Sequence, residues 1–259
     1  MSRFIDELNR LSRATPQSIG FRTKEATSLK PKLQLVASLS EENAENLADH
    51  LSGADAGLLL ISKPSSGSKA LQKITKTVPD IPWGGWLGDQ GAIKQFNKVK
   101  CDFVVFPTTS TPLEIPQNDE VGMILEVEAS LSEGLLRAAN ELPIDAVLVA
   151  GEPSQSDSVT WQHLMLFRRF ADLVTKPLLA SIPAKVTAGV LQSLWEAGVK
   201  GVVVEVIAEQ PQDELKKLRQ IIDKLEPPSP RRRERTSALL PHISRESSTV
   251  TAEEEEEEE

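Results

Sequence analysis

Five acidic residues, Asp89, Glu126, Glu128, Glu152 and Glu205, each stand at or just beyond the end of a short apolar run. Carboxylates that converge from the ends of several strands can hold a hard divalent cation through oxygen, or share the work of general acid and general base. Period two places Glu126 and Glu128 on one face of their run with Ile124 below them. These two and Glu205 form the candidate catalytic set. The blander reading is more economical, because spacing alone does not bring side chains together. In it the acids are rim carboxylates, bonded to loop N–H groups or paired with Lys63 and Lys185. Neither a metal nor a cofactor is assigned by these residues.

The candidate ligand-binding residues are Lys63, Trp86, Asp89, Glu152 and Ser181. Lys63 opens SKPSSGSK, where Ser65–Ser68 could start a helix over an anion, but the glycine pattern is too poor for a phosphate loop. Trp86 belongs to IPWGGWLGDQG, the most unusual stretch of the body. Glycines within a strand mark a bulge or the close approach of a ligand or another chain segment. An indole there either stacks on a flat ligand or fills the space the glycines leave. His50 and His163 are expected on helices away from the site and His242 in a tail, so histidine metal sites and a Ser/His/Asp triad lack support. No lysine is expected on an inner strand face near the sixth strand, which disfavours a Schiff-base aldolase. Cys101 precedes an apolar run and reads as a small hydrophobe at a strand start.

What must position these groups is a rhythm of strand and helix. Strands are expected near 33–38, 57–62, 82–87, 102–107, 121–127, 145–150, 177–181 and 201–206. Helices are expected over 41–52, 67–77, 90–98, 131–141, 159–174, 185–197 and 212–225, with a loop in place of a helix at PTTSTPLEIPQND. Asp or Gly stands immediately before the even strands, and Pro31, Pro82 and Pro177 precede strands one, three and seven. Two alternating kinds of unit suit a closed barrel, whose interior layers draw side chains from odd and even strands in turn. An open doubly wound sheet would need no eighth closing strand.

The clearest unit is KPLLASIPAKVTAGVLQSLWEAGVKGVVVEV, Lys176–Val206. Its words LASIPA and EAGVKGVVVEVI resemble the seventh and eighth units of the phosphate-binding and flavin-mononucleotide-binding TIM barrels, which read LASGGI and EAGADGVVVGSA. The resemblance implies a (β/α)8 TIM barrel of the aldolase type, with its site at the C-terminal ends of the strands. It also implies a phosphate cup of glycine amides, and here that cup is degenerate. Ile182 and Pro183 replace the first glycine pair, and Glu205 replaces the glycine after the last strand. Proline has no N–H to offer, and a carboxylate repels an anion.

Outside the barrel, taken as 32–226, lie a leader (1–31) and a tail (227–259). Phe4, Ile5, Leu8 and Leu11 form a helical stripe in the leader, expected to plug the barrel bottom or to mediate self-association. The tail carries an arginine cluster, a short apolar island at Ala238–Ile243 and a polyglutamate end, a composition expected to stay disordered. A protein partner, if there is one, would meet that tail. The seven glutamates Glu253–Glu259 account for most of the net charge of −9. The body therefore has no basic field for nucleic acid, and no apolar run long enough for a membrane span. With one cysteine and no signal-peptide pattern, a cytoplasmic protein is expected. Three function classes stay open: a small-molecule binder with its phosphate cup lost, a metal-assisted lyase or isomerase using the mouth carboxylates, and a non-catalytic interaction protein.

Overall fold

A computed structural model of the chain describes residues 2–13, 33–43, 47–61, 64–88, 101–109, 111, 120–150, 158–207, 211 and 213–226. Eight short apolar runs become strands: β1 Gln34–Ser40, β2 Ala56–Ile61, β3 Trp83–Leu87, β4 Phe103–Pro107, β5 Gly122–Val127, β6 Ala146–Val149, β7 Leu178–Ile182 and β8 Gly201–Glu205. Each is parallel to its neighbours, and β8 pairs with β1 to close the barrel. Nearly every strand residue is buried, as expected where one face meets the barrel interior and the other a ring of helices. Among the described residues the α-helices are α1 Arg3–Arg13, α2 Pro64–Thr77, α3 Glu133–Ala138, α4 Trp161–Leu173, α5 Ala188–Ala197 and α6 Glu214–Lys224.

Alternation along the strands divides the core in two. Val36, Leu58, Val105, Ile124, Leu148, Leu179 and Val203 pack inside the barrel, whereas Leu35, Leu59, Val104, Val147, Ala180 and Val204 face the helices. The leader helix completes the interior. Phe4, Ile5 and Leu8 are buried within the same cluster, with the Phe4 and Phe103 rings 4.7 Å apart, so α1 is the plug. Asp102, just ahead of β4, fixes it. Its carboxylate accepts Ser2 Oγ–H at 2.8 Å and the N–H groups of Arg3 at 2.8 Å and Phe4 at 2.9 Å, while Ser2 Oγ accepts Ile5 N–H. Donors that a helix N-terminus would leave unsatisfied thus meet a negative charge supplied from about a hundred residues away.

The residue before each even strand proves to be a clasp. Asp55 N–H donates to Leu35 O, and the Asp55 carboxylate accepts Leu35 N–H; Asp145 and Met123 repeat the arrangement. Asp102 keeps the backbone half, to Trp83 O, and lends its side chain to α1. Lys200 occupies the fourth such place, donating its N–H to Leu178 O. Asp55 also meets Arg219 of α6 at 2.5 Å. Burial raises its pKa even so, outweighing the Leu35 amide and the guanidinium.

Where the helices differ from expectation, the ends are responsible. Over 41–52 the described residues hold one 3-10 turn, Ala48–Leu51, which opens with no side-chain cap. The helix expected over 131–141 gives way after Ala138 to a 3-10 turn, Ala139–Glu141. By contrast α4 and α5 are capped by Thr160 and Thr187, and α5 stops where Gly198 adopts φ 110°, a left-handed geometry that costs glycine little. The expected helix 90–98, the expected loop 107–119 in most of its length, and the tail from 227 lie outside the described residues. Among the described residues no helix is long and apolar enough to cross a membrane.

Candidate functional site at the barrel mouth

Inward parity brings Ser38, Leu60, Trp86, Pro107, Glu126, Ser181 and Glu205 to the upper end of the barrel. Two of them bond directly. Trp86 Nε1–H on β3 donates to Glu126 Oε2 on β5 at 2.5 Å, across the intervening strand β4. The indole is half-buried against the interior cluster and lies over Gly88, where an added Cβ would come within 1.9 Å of Trp86 Cζ3. Gly88 therefore makes room for the ring, and the ring closes the top of the interior. Burial raises the Glu126 pKa, and the hydrogen bond from Trp86 opposes that shift. The mouth thus holds a carboxyl group that keeps its proton to a higher pH than an ordinary glutamate, next to a fixed N–H donor.

The other acids are placed differently. Glu128 does not share the inner face with Glu126, because β5 ends at Val127 and a turn closed by Leu131 N–H to Glu128 O follows. The Glu128 side chain is exposed and accepts Ser130 Oγ–H at 3.2 Å. Glu205, at the end of β8, is also exposed. Lys63, Asp89 and Glu152 lie outside the described residues. Among the described residues no group of three or more His, Cys, Asp or Glu could hold a metal ion.

Above β5, β6 and β7 a cleft of about 740 Å³ opens beside α4. Ala129 and Ser130 line it from the turn after β5, Ala150 from the end of β6, Ser181 and Pro183 from β7 and beyond. The far wall is the start of α4, with Thr160, Gln162, His163, Leu166, Phe167 and Arg169. Among the described residues, Ser181 is therefore the one sequence-predicted residue that this cleft takes in. His163, expected away from the site, lines it. The reason is topological: the helix after a strand begins where that strand ends, so its first turn lies at the mouth. His163 also completes a capping box. Thr160 Oγ1 accepts His163 N–H, and His163 Nδ1 accepts Thr160 N–H, which leaves the neutral ring's proton on Nε2.

Solved structures of similar shape include a mutant tryptophan synthase alpha-subunit from Pyrococcus furiosus, at TM-score 0.59 and 11% identity over 76% of this chain and 99% of that one. A thiamine phosphate pyrophosphorylase from Pyrococcus furiosus superposes at TM-score 0.57 and 19% identity, over 75% and 98% of the two chains. The chain is a TIM barrel. No protein-family model and no curated protein matches its sequence, and the likeness at these identities is one of fold.

In a TIM barrel the loops that follow the strands carry the chemistry, and the cleft sits among them. Ile182 is buried, Pro183 has no N–H, and α5 starts only at Ala188. Past β8, Val206 N–H is taken by Ser38 O at 2.8 Å.

Proposed function

We propose that this TIM barrel binds a small organic molecule at its C-terminal mouth, in the cleft above β5, β6 and β7, and does so without the glycine-amide phosphate cup. The observation that carries the reading is the cleft itself. Its volume falls in the range of small-molecule sites, and apolar side chains surround a few placed donors. The loss of the cup is supported by Ile182 and Pro183 after β7, by the engaged Val206 amide, and by the exposed carboxylate of Glu205. A fragment library screened by thermal shift tests the proposal. Binders should raise the melting temperature of the native chain by mass action and fail to do so for Leu166→Trp, which fills the cleft. Binders indifferent to that substitution, or no binders at all, would overturn it. Stabilisation by flavin mononucleotide or by phosphorylated sugars would overturn the loss of the cup.

One observation favours a catalytic version of this reading. Glu126 does not line the cleft, but it stands at the same mouth with a pKa raised by burial and an indole N–H donor beside it, a setting for a general acid or base on a ligand that reaches from the cleft to it. Of the two roles open to the mouth acids, metal ligand or acid and base, this reading takes the second, as single-carboxyl chemistry of the lyase or isomerase kind at Glu126. Turnover of a cleft ligand that Glu126→Gln abolishes while binding persists would support it. Turnover unchanged by that substitution would refute it.

A further inference from the structure

Resting on the cleft as a small-molecule site, we infer that its ligand is a carboxylate carried on an apolar body, and that Arg169 is its charge partner. The described residues lining the cleft include one arginine and one histidine and not a single Asp or Glu. The two arginines of α4 show the contrast. Arg168 faces solvent and meets Asp172, one turn on, at 2.7 Å. Arg169 has Met165 and Leu173 at the corresponding positions and no carboxylate partner among the described residues.

Arg169 is nevertheless held in place. One Nη2–H donates to Leu131 O at 2.8 Å, the Phe170 ring lies 5.5 Å from its Cζ, and its buried Nε finds no partner among the described residues. A half-buried guanidinium, fixed by one carbonyl and without a carboxylate partner among the described residues, favours an anion beside it, and its planar fork matches a carboxylate. The Nε2–H of His163 and the hydroxyls of Ser130 and Ser181 add neutral donors on the same walls. One fixed cation balances a monoanion better than a phosphate dianion. Leu166, Phe167 and Pro183 supply the surface for the ligand's apolar part.

The test compares 3-phenylpropionate and octanoate with their uncharged amides, and with inorganic phosphate, by thermal shift and isothermal titration on the full chain. The acids should bind and their amides bind at least tenfold more weakly, since a hydrogen bond to a charged group is worth about ten- to a hundredfold in affinity. Arg169→Gln should lower affinity for the acids by that factor and leave the amides unchanged. The comparison of acid with amide on the native chain needs no folded variant. Equal binding of acids and amides would overturn the inference and leave the cleft reading standing. Stabilisation by phosphate alone would overturn the inference as well. Binding of neither series, together with an empty fragment screen, would remove both.

Discussion

Replacing Asp102 by alanine should loosen the leader helix from the barrel, at a cost that follows from its three hydrogen bonds. Two of them, from Ser2 Oγ–H and Phe4 N–H, are part-buried, and the third, from Arg3 N–H, is exposed to water that can replace the carboxylate. Hydrogen bonds to a charged group contribute ~1.5–3 kcal/mol when buried, and loss of a helix cap costs up to about 2 kcal/mol, so partial solvation brings the sum to roughly 2–3 kcal/mol. For a barrel of this size each kcal/mol moves the melting temperature by roughly 2–4 °C, which gives a fall of roughly 4–12 °C. Urea denaturation would supply the free energy, and hydrogen exchange at the α1 amides would locate it. Exchange should quicken in α1 well before the strands. Because Ser2 Oγ both donates to Asp102 and accepts Ile5 N–H, Ser2→Ala and Asp102→Ala should be coupled, the double variant costing less than the two singles together. A cost below about 0.5 kcal/mol, or strict additivity, would show that apolar packing of Phe4, Ile5 and Leu8 holds the plug without the cap.

Glu126→Gln keeps an oxygen for Trp86 Nε1–H and removes the titration. Burial holds the folded-state pKa above that of an ordinary glutamate, so native stability falls as pH rises through it; the variant should match the native chain at about pH 4 and gain on it toward neutrality in urea midpoints. A variant that loses ground at neutral pH would mean that Trp86 holds Glu126 as the carboxylate. Burial, with Asp102 adding its charge, pushes the Cys101 thiol up to about 12, so alkylation at mildly alkaline pH should be slow in the folded chain and fast in urea. Rapid labelling without denaturant would contradict that burial. Gly88→Ala should displace the Trp86 ring, break its bond to Glu126 and cost ~1–3 kcal/mol through overpacking, with a shift in tryptophan emission. Unchanged emission and stability would show that the ring does not lie over Gly88.

The strands were legible because burial on both faces leaves little choice of residue. β8 is GVVVE and β4 is FVVFP, runs that fit a strand covered on both sides better than an amphipathic helix. The punctuation was legible too, although its meaning was not. Asp55 and Asp145 precede their strands because each carboxylate clasps the preceding strand's amide, and a rule of residue type before a strand carries no sign of that geometry. Asp102 shares the position and does something else with its side chain, capping a helix far away in sequence. Helix ends were less legible where caps were absent. The stretch around Ala48–Leu51 has apolar residues at helical spacing, yet no Ser, Thr, Asp or Asn side chain closes its first turn.

The site divides along the same line, between what alternation dictates and what only convergence can supply. Alternation puts Glu126 above Ile124 on the inner face, as the structure has it, and it fails for Glu128 one residue past the last rung, because a period of two has no force once the ladder stops. The bond between Trp86 and Glu126 joins residues forty apart through strand order and barrel shear, neither of which leaves a local mark in sequence. His163 and Arg169 were passed over because they sit on a helix, and helices of a barrel are usually its outer wall. The first three turns of α4 are the exception, since they line the cleft above the end of β6 at the mouth. A signal was present in the capping-box spacing of Thr160 and His163, which fixes where α4 begins and so which of its residues can face a ligand. In a barrel of this kind, helix starts after the strands deserve the same search for chemistry as the strand ends themselves.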